Sequence, residues 1–376
     1  MDNVLIREEI DGKSIIWFAT TNKYIVVEHL VADILISINH KIHFDIISND
    51  LSNSLNIPLK EASNFINDVY INLYKKNTSK EKSAAINFSE KPVTNYKALK
   101  FYKIGNLIFR IDYQSDFEEY LIHPKFSHLE IPKTENFTKH YQIYTENENT
   151  ILFENQKFIG VWHRKDIHYF QGKFSMLLVQ MMHQKPEDEW LGVFHASGLA
   201  NDKKAILLLG DSGNGKSTSL SILQANGLTC LADDFVPVDT SKQHVHTFPS
   251  AISIKRNSLP VLLPLYPELE NTAEFHFKRL QKIVRFLPPN NSDYNLNLPC
   301  NDIVFIKYIP NSNLDFKVIS KVEAFQQLVP DSWISSNPEN VTTFLSWFKH
   351  LNCYQLSYSN NNKMVETIKN ILNDDI

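Results

Sequence analysis

Residues 210 to 217 read Gly-Asp-Ser-Gly-Asn-Gly-Lys-Ser, which matches G-x-x-x-x-G-K-[ST]. Each residue type in that spacing has a chemical reason. Gly210, Gly213 and Gly215 permit backbone dihedrals closed to other residues, so the N–H groups along Asp211, Ser212, Gly213, Asn214 and Gly215 can turn inward on an anion. A helix opening at Lys216 adds the partial positive charge of its N-terminus. Lys216 supplies a point charge to the β- and γ-phosphates, the Ser217 hydroxyl ligates Mg²⁺, and Thr218 places a second hydroxyl beside it. The implied ligand is a nucleoside triphosphate, ATP, with Mg²⁺. A merely glycine-rich turn is the plain alternative. Context argues against it: Ala205 to Leu209 form an apolar run before the loop, and Leu220, Ile222 and Leu223 follow at helical spacing. The chain has ten glycines, and four of them (Gly210, Gly213, Gly215 and Gly227) fall in this short stretch.

Sixteen residues past Ser217, CLADDFVPVD carries Asp233 and Asp234 at the end of an apolar strand. A strand there is expected beside the loop strand, with its carboxylates emerging next to the phosphates. One carboxylate can hold Mg²⁺ while the other accepts the proton of an attacking hydroxyl. His195 lies in the apolar run VFHAS; it is either a packed histidine or a catalytic one. Lys255 and Arg256, after FPSAISI, could clamp the transferred phosphate or be solvated. There is no N-K-x-D, as a GTPase would need, and no L-S-G-G-Q, as an ABC-type ATPase would need.

The elements that must position these residues can be read from periodicity. Residues 13 to 28 read as two short strands around a Thr-Asn turn. Helical patterns follow over 29 to 39 and 43 to 55, and again after Pro58, where Leu59, Ala62, Ile66, Val69 and Leu73 recur at three- and four-residue steps. Residues 97 to 171 are rich in aromatic and β-branched strands. Helical signal returns at 173 to 184, then LGVFHASGLA and AILLLG form a hairpin into the loop. Residues 288 to 299 read as a loop and DIVFIKYI as a strand. Helices at 321 to 329 and 339 to 350, a strand at CYQLSYS and a helix at 362 to 373 close the chain. No solenoid repeat is present.

Composition narrows the classes. The chain has 376 residues, 43% apolar and 21% charged, with a net charge of −4. That balance excludes wholesale disorder and gives no electrostatic case for nucleic acid. No apolar run is long enough for a membrane span, and the acidic start MDNVLIREEIDGK is not a secretory signal. Cys230, Cys300 and Cys353 fit no metal spacing and read as buried thiols in a reducing, cytoplasmic setting.

The segments FHASGLA, AILLLGDSGNGKST, ANGLTCLADDFVPVD, TFPSAISIK, IVFIKYI and LNCYQLSYS resemble the HPr kinase/phosphorylase superfamily, in particular its shorter kinase-related members. The resemblance covers about residues 97 to 376. It implies an α/β fold: a P-loop kinase domain of phosphoenolpyruvate-carboxykinase type, with a mixed sheet and flanking helices. It implies phosphorylation of a hydroxyl, often serine. On that pattern Lys216 and Ser217 bind phosphates and Mg²⁺, Asp233 is the general base assisted by His195, and Asp234 helps bind metal. Two departures stand out. The position after the loop serine, Glu in HPr kinases proper, is Thr218, and their later E-x-R-G-x-G signature has no counterpart. HPr and phosphorolysis are therefore not expected. The N-terminal stretch, through WFATTNKYIVVEHLVADIL and PLKEASNFINDVYINL, looks like a PqqD-like winged-helix domain that captures leader peptides. From Asn22 to Thr78 it carries five Lys and no Arg against six Asp plus Glu, which favours peptide over DNA.

The expected organisation is thus a peptide-binding domain at 1–78, a linker at 79–96 and a kinase domain at 97–376. The expected function is an ATP-dependent serine kinase acting on a peptide or small protein, as in ribosomal-peptide modification. Two alternatives remain at this level: a nucleotide-gated regulatory protein with little phosphotransfer, and a small-molecule (serine or sugar) kinase. Related kinases are often oligomeric, so a homo-oligomer is compatible with the resemblance.

Overall fold

The computed structural model describes residues 4–79, 91–277 and 282–375. It is a mixed α/β architecture with several sheets and flanking helices. Residues 80–90 of the expected linker lie outside the described residues. Among the described residues no helix is long and apolar enough to cross a membrane. Two compact units divide the chain, and they do not follow chain order: Met1–Ala84 groups with Ile319–Leu351, and Ala85–Val318 groups with Asn352–Ile376.

In the first unit, strands Leu5–Ile10, Lys13–Phe18 and Lys23–Val27 form an antiparallel sheet. The first strand was not expected. Its signal is the Asp11-Gly12 turn, in which both residues take positive φ (47° and 75°) as a two-residue hairpin requires. Helices His29–Asn39, Phe44–Leu55 and Leu59–Val69 follow, the last running into a π-helical turn at Tyr70–Lys75. Ile16 and Phe18 pack with Ala32, Leu35, Ile47, Leu51, Ala62 and Ile66 on one face of the sheet. Ile15 and Trp17 alternate with them, so they point to the other face, yet they too are fully buried.

Helices Lys321–Leu328 and Pro338–His350 supply the cover for that other face. Tyr24, cross-strand partner of Trp17, meets Phe325 and Phe344 with ring centroids 5.8 Å apart in each case. Asn22 accepts from the Trp17 indole at 2.7 Å and donates to the Ile334 carbonyl at 2.9 Å. The expectation of one continuous domain from 97 to 376 is corrected here. A sheet apolar on both faces needs two covers, and residues 319–351 provide the second.

The second unit has two large sheets. The first runs in the order Glu130–Ile131, Ala98–Ile104, Leu107–Tyr113, Lys139–Glu146, Asn149–Glu154, Lys157–His163. Helix Asp116–Phe126 makes the crossover between its one parallel pair, Leu107–Tyr113 and Lys139–Glu146. That helix was not expected, because its apolar residues do not line one face; its start is fixed instead by a capping box of Ser115 and Glu118.

The other large sheet runs Thr229–Asp233, Ser197–Ala200, Ala205–Leu209, Asn297–Tyr308. The long strand Asn297–Tyr308 then pairs in parallel with Asn352–Tyr358, and near its start with His244–His246, which leads to Val236–Asp239 and Trp190–Phe194. The loop helix Lys216–Ala225 and the last helix, Asn361–Leu372, bury Leu220, Leu223, Met364 and Ile368 against it.

Candidate functional site

Gly210 to Gly215 join the loop strand to the loop helix, as the apolar run and the helical spacing require. Two glycines are obligatory for different reasons. A Cβ on Gly210 would stand 2.7 Å from the Ile306 carbonyl oxygen. Gly215, at φ +94°, begins the helix with no side-chain cap and would bring a Cβ within 3.2 Å of Tyr308 Cβ. The neighbouring strand Asn297–Tyr308 thus presses against the loop, and the Tyr308 N–H donates to the Asn214 carbonyl at 2.9 Å. The first residues of the loop helix, Lys216, Ser217 and Thr218, line a cleft of about 180 Å³. An uncapped helix start of this kind is a ready anion cradle.

The cleft gathers most of the residues that the sequence singled out. Asp211, Ser212, Gly213, Gly215, Lys216, Ser217 and Thr218 line it together with His195, Asp234 and Lys255. Gly210, Asn214 and Asp233 do not line it; they stand behind its wall. Lys216 is buried, with its Nζ 3.3 Å from the His195 carbonyl oxygen and 3.6 Å from Asp234 Oδ1. Lys255 Nζ reaches Ser212 Oγ at 3.4 Å across the cleft. Arg256 instead pairs with Glu274 through Nη2 at 2.5 Å. Reading the motifs missed Ser253, Asn257 and Ser258, which complete the lining; the Thr218 hydroxyl is taken by Ser258 at 2.7 Å.

The two aspartates occupy different surroundings although they are adjacent. The strand carrying Asp233 was expected next to the loop strand, and this is corrected. Ser197–Ala200 lies between them, pairing antiparallel with both. A tight turn at Asn201–Lys204, where Asn201 Oδ1 accepts from the N–H groups of Lys203 and Lys204, makes that hairpin the loop strand's nearest neighbour. Ser197 sits directly opposite Asp233, and its hydroxyl donates to Oδ1 at 2.6 Å. Ser217 donates to Oδ2 at 3.0 Å, so Asp233 still reaches the loop serine across the intervening strand. Asp233 is 2% exposed. Burial, and next the charge of Asp234, push its carboxyl up to about 6, against the pull of Lys216 and the two hydroxyls.

Asp234 turns out of the strand into the left-handed region (φ 62°), its N–H held by the Ala196 carbonyl at 2.9 Å. Its side chain therefore enters the cleft, where Oδ1 lies 3.9 Å from His195 Nδ1. His195 sits in the break between strands Trp190–Phe194 and Ser197–Ala200, and its side chain is 42% exposed. It is a cleft residue and not a packed one. The expected burial of Cys230, Cys300 and Cys353 as free thiols holds.

Among the described residues, no three His, Cys, Asp or Glu side chains are grouped to hold a metal ion on their own. The donor set at the cleft is one hydroxyl, Ser217, backed by one carboxylate, Asp233, with Asp234 opposite. Such a set suits a hard cation only in company with ligand oxygens and water, which is the usual way Mg²⁺ binds beside phosphates. The chain matches no protein-family model and no curated protein.

Proposed function

We propose that the chain is an ATP-dependent kinase that transfers the γ-phosphate to a hydroxyl, serine, of a peptide or small protein. Its catalytic unit would be a P-loop domain of the HPr-kinase-related, phosphoenolpyruvate-carboxykinase-like type. One observation carries the proposal: an uncapped glycine-loop helix start, two lysines, His195 and Asp234 line one cleft, with Asp233 hydrogen-bonded to its Ser217 from behind. The phosphates of ATP would lie on the loop N–H groups, with Lys216 at the β- and γ-phosphates and Lys255 closing from the far side. Ser217 and Asp233 would hold Mg²⁺, which neutralises charge on the phosphate oxygens.

The roles of the two aspartates are then the reverse of those that the family resemblance implies. Asp233 is buried behind Ser217, so it suits the metal side. Asp234 opens into the cleft beside His195, so it suits the proton. The acceptor oxygen forms its bond to the γ-phosphorus as the bond from that phosphorus to the β–γ bridging oxygen breaks. The hydroxyl proton passes to Asp234, with His195 orienting the carboxylate, and ADP leaves.

The N-terminal unit is proposed to hold the acceptor peptide as an added strand. Its sheet ends in two edge strands, Leu5–Ile10 and Lys23–Val27, and its charge is near balance. The test is calorimetry of ATP binding with and without Mg²⁺, followed by transfer assays against serine-containing peptides. Mg²⁺-dependent binding that Lys216→Ala abolishes, with label appearing on peptide serine, supports the proposal. Tight ATP binding with no transfer to any acceptor would favour a nucleotide-gated regulatory protein. Label on free serine or a sugar would favour a small-molecule kinase.

A further inference from the structure

The cleft around Lys216 is lined by polar side chains and two glycines. Such a lining suits a phosphate chain and offers no broad apolar surface to a nucleobase. A base would therefore lie beyond the cleft, and the sheet topology indicates on which side. The loop strand Ala205–Leu209 and the strands Asn297–Tyr308 and Asn352–Tyr358 run parallel, so their carboxyl ends open on the same edge as the glycine loop. Ligands of parallel α/β sheets bind in the crevice outside such ends.

Tyr308 stands at that edge. Leu209 pairs with Phe305, so the middle strand runs three residues past the end of the loop strand and reaches the loop itself. The Tyr308 N–H donates to the Asn214 carbonyl at 2.9 Å, and a Cβ on Gly215 would meet Tyr308 Cβ at 3.2 Å. Val304 and Ile306 share its face of the strand and pack in the same core as the loop helix, whereas Tyr308 is 45% exposed. Its ring is nevertheless braced. The Tyr358 ring meets it with centroids 5.5 Å apart and planes at 72°, and the Tyr358 hydroxyl lies 2.7 Å from Ser219 Oγ. Ser219 donates onward to the Gly215 carbonyl at 2.9 Å. An exposed aromatic ring is thus tied to the phosphate loop through its own backbone and through its neighbour. Every nucleobase has a π-face that such a ring can take.

We propose that Tyr308 is the platform on which the base of the nucleotide stacks. That role rests on the loop holding a nucleoside triphosphate, as proposed above, and the test separates the two. Calorimetry follows the binding of ATP and of inorganic tripolyphosphate, each with Mg²⁺, to the full chain as wild type, Tyr308→Ala and Tyr308→Phe. Alanine keeps the Cβ and the N–H bond to Asn214 and removes only the ring. The expected result is ATP affinity about tenfold weaker in Tyr308→Ala, with tripolyphosphate affinity unchanged. Tyr308→Phe, which keeps the ring, should bind ATP as the wild type does. In Tyr308→Trp, ATP and not tripolyphosphate should quench the emission of the added indole. ATP bound equally by wild type and Tyr308→Ala, or no quenching in Tyr308→Trp, would overturn the proposal and leave the loop reading intact. Equal weakening of both ligands in Tyr308→Ala would overturn it too, because the ring would then act only by supporting the loop. Wild type that binds neither ligand would bring down the loop reading itself, and the platform with it.

Discussion

Asp233 accepts from two serine hydroxyls and lies buried beneath the loop, whereas Asp234 projects into the cleft within reach of Lys216 and His195. Their separation follows from one backbone feature, the positive φ at Asp234, which turns consecutive side chains to opposite sides of the wall. Two mutations should therefore part company. Asp234→Asn removes the proposed proton acceptor and should lower kcat by about 10²–10⁴-fold while ATP affinity stays within a few-fold. Asp233→Asn should instead raise the Mg²⁺ concentration needed for half-maximal rate. Steady-state kinetics over a Mg²⁺ series checks both, and the opposite pattern would restore the assignment that the resemblance implies. Ser197 was not legible as a site residue: it is a serine in an apolar strand, and only the cross-strand register places its hydroxyl on Asp233.

Among the elements, the loop is held by its neighbour strand as much as by its own glycines. Gly210→Ala would drive a methyl into the Ile306 carbonyl, so the loop or the strand must move. The expected outcome is loss of ATP binding in a protein that still folds, as calorimetry and circular dichroism together would show. In the N-terminal unit, Phe344→Ala should destabilise by about 3–5 kcal/mol, since it opens a cavity under Tyr24. Chemical denaturation would measure it.

Much of this was readable in advance. The loop strand, the loop helix and the closing helices follow from periodicity, and the loop from its spacing. Three features were missed although each had a local signal. The Asp11-Gly12 turn marks the first hairpin, and Ser115 with Glu118 marks a helix start. The unbroken run Ile15-Ile16-Trp17-Phe18 marks a strand covered on both faces. What no local signal carries is which distant segment does the covering. Pairing between residues 13–27 and 319–351 is a tertiary choice, as is the insertion of Ser197–Ala200 between the two site strands.

For the whole molecule, acid should act through a half-buried neutral histidine. Burial, and next the neighbouring His246, push His183 down to about 4. The unfolded chain takes up protons near the ordinary histidine value of about 6.5, while the folded chain refuses them until about 4. Stability is therefore full above about 6.5 and falls as the pH drops from there towards 4. Denaturation midpoints across that window should decline, and the decline should be shallower in a His183→Gln variant. Equal slopes would show that other groups dominate.

The central claim is that the cleft at Gly210–Ser217 moves phosphate from ATP to a hydroxyl. Incubation with γ-labelled ATP, Mg²⁺ and serine-containing peptides, wild type beside Lys216→Ala and Asp234→Asn, tests it most directly. Label on a peptide serine that both substitutions remove is the predicted result. Transfer that survives in Asp234→Asn, or ATP bound by the wild type without label reaching any acceptor, would contradict the account.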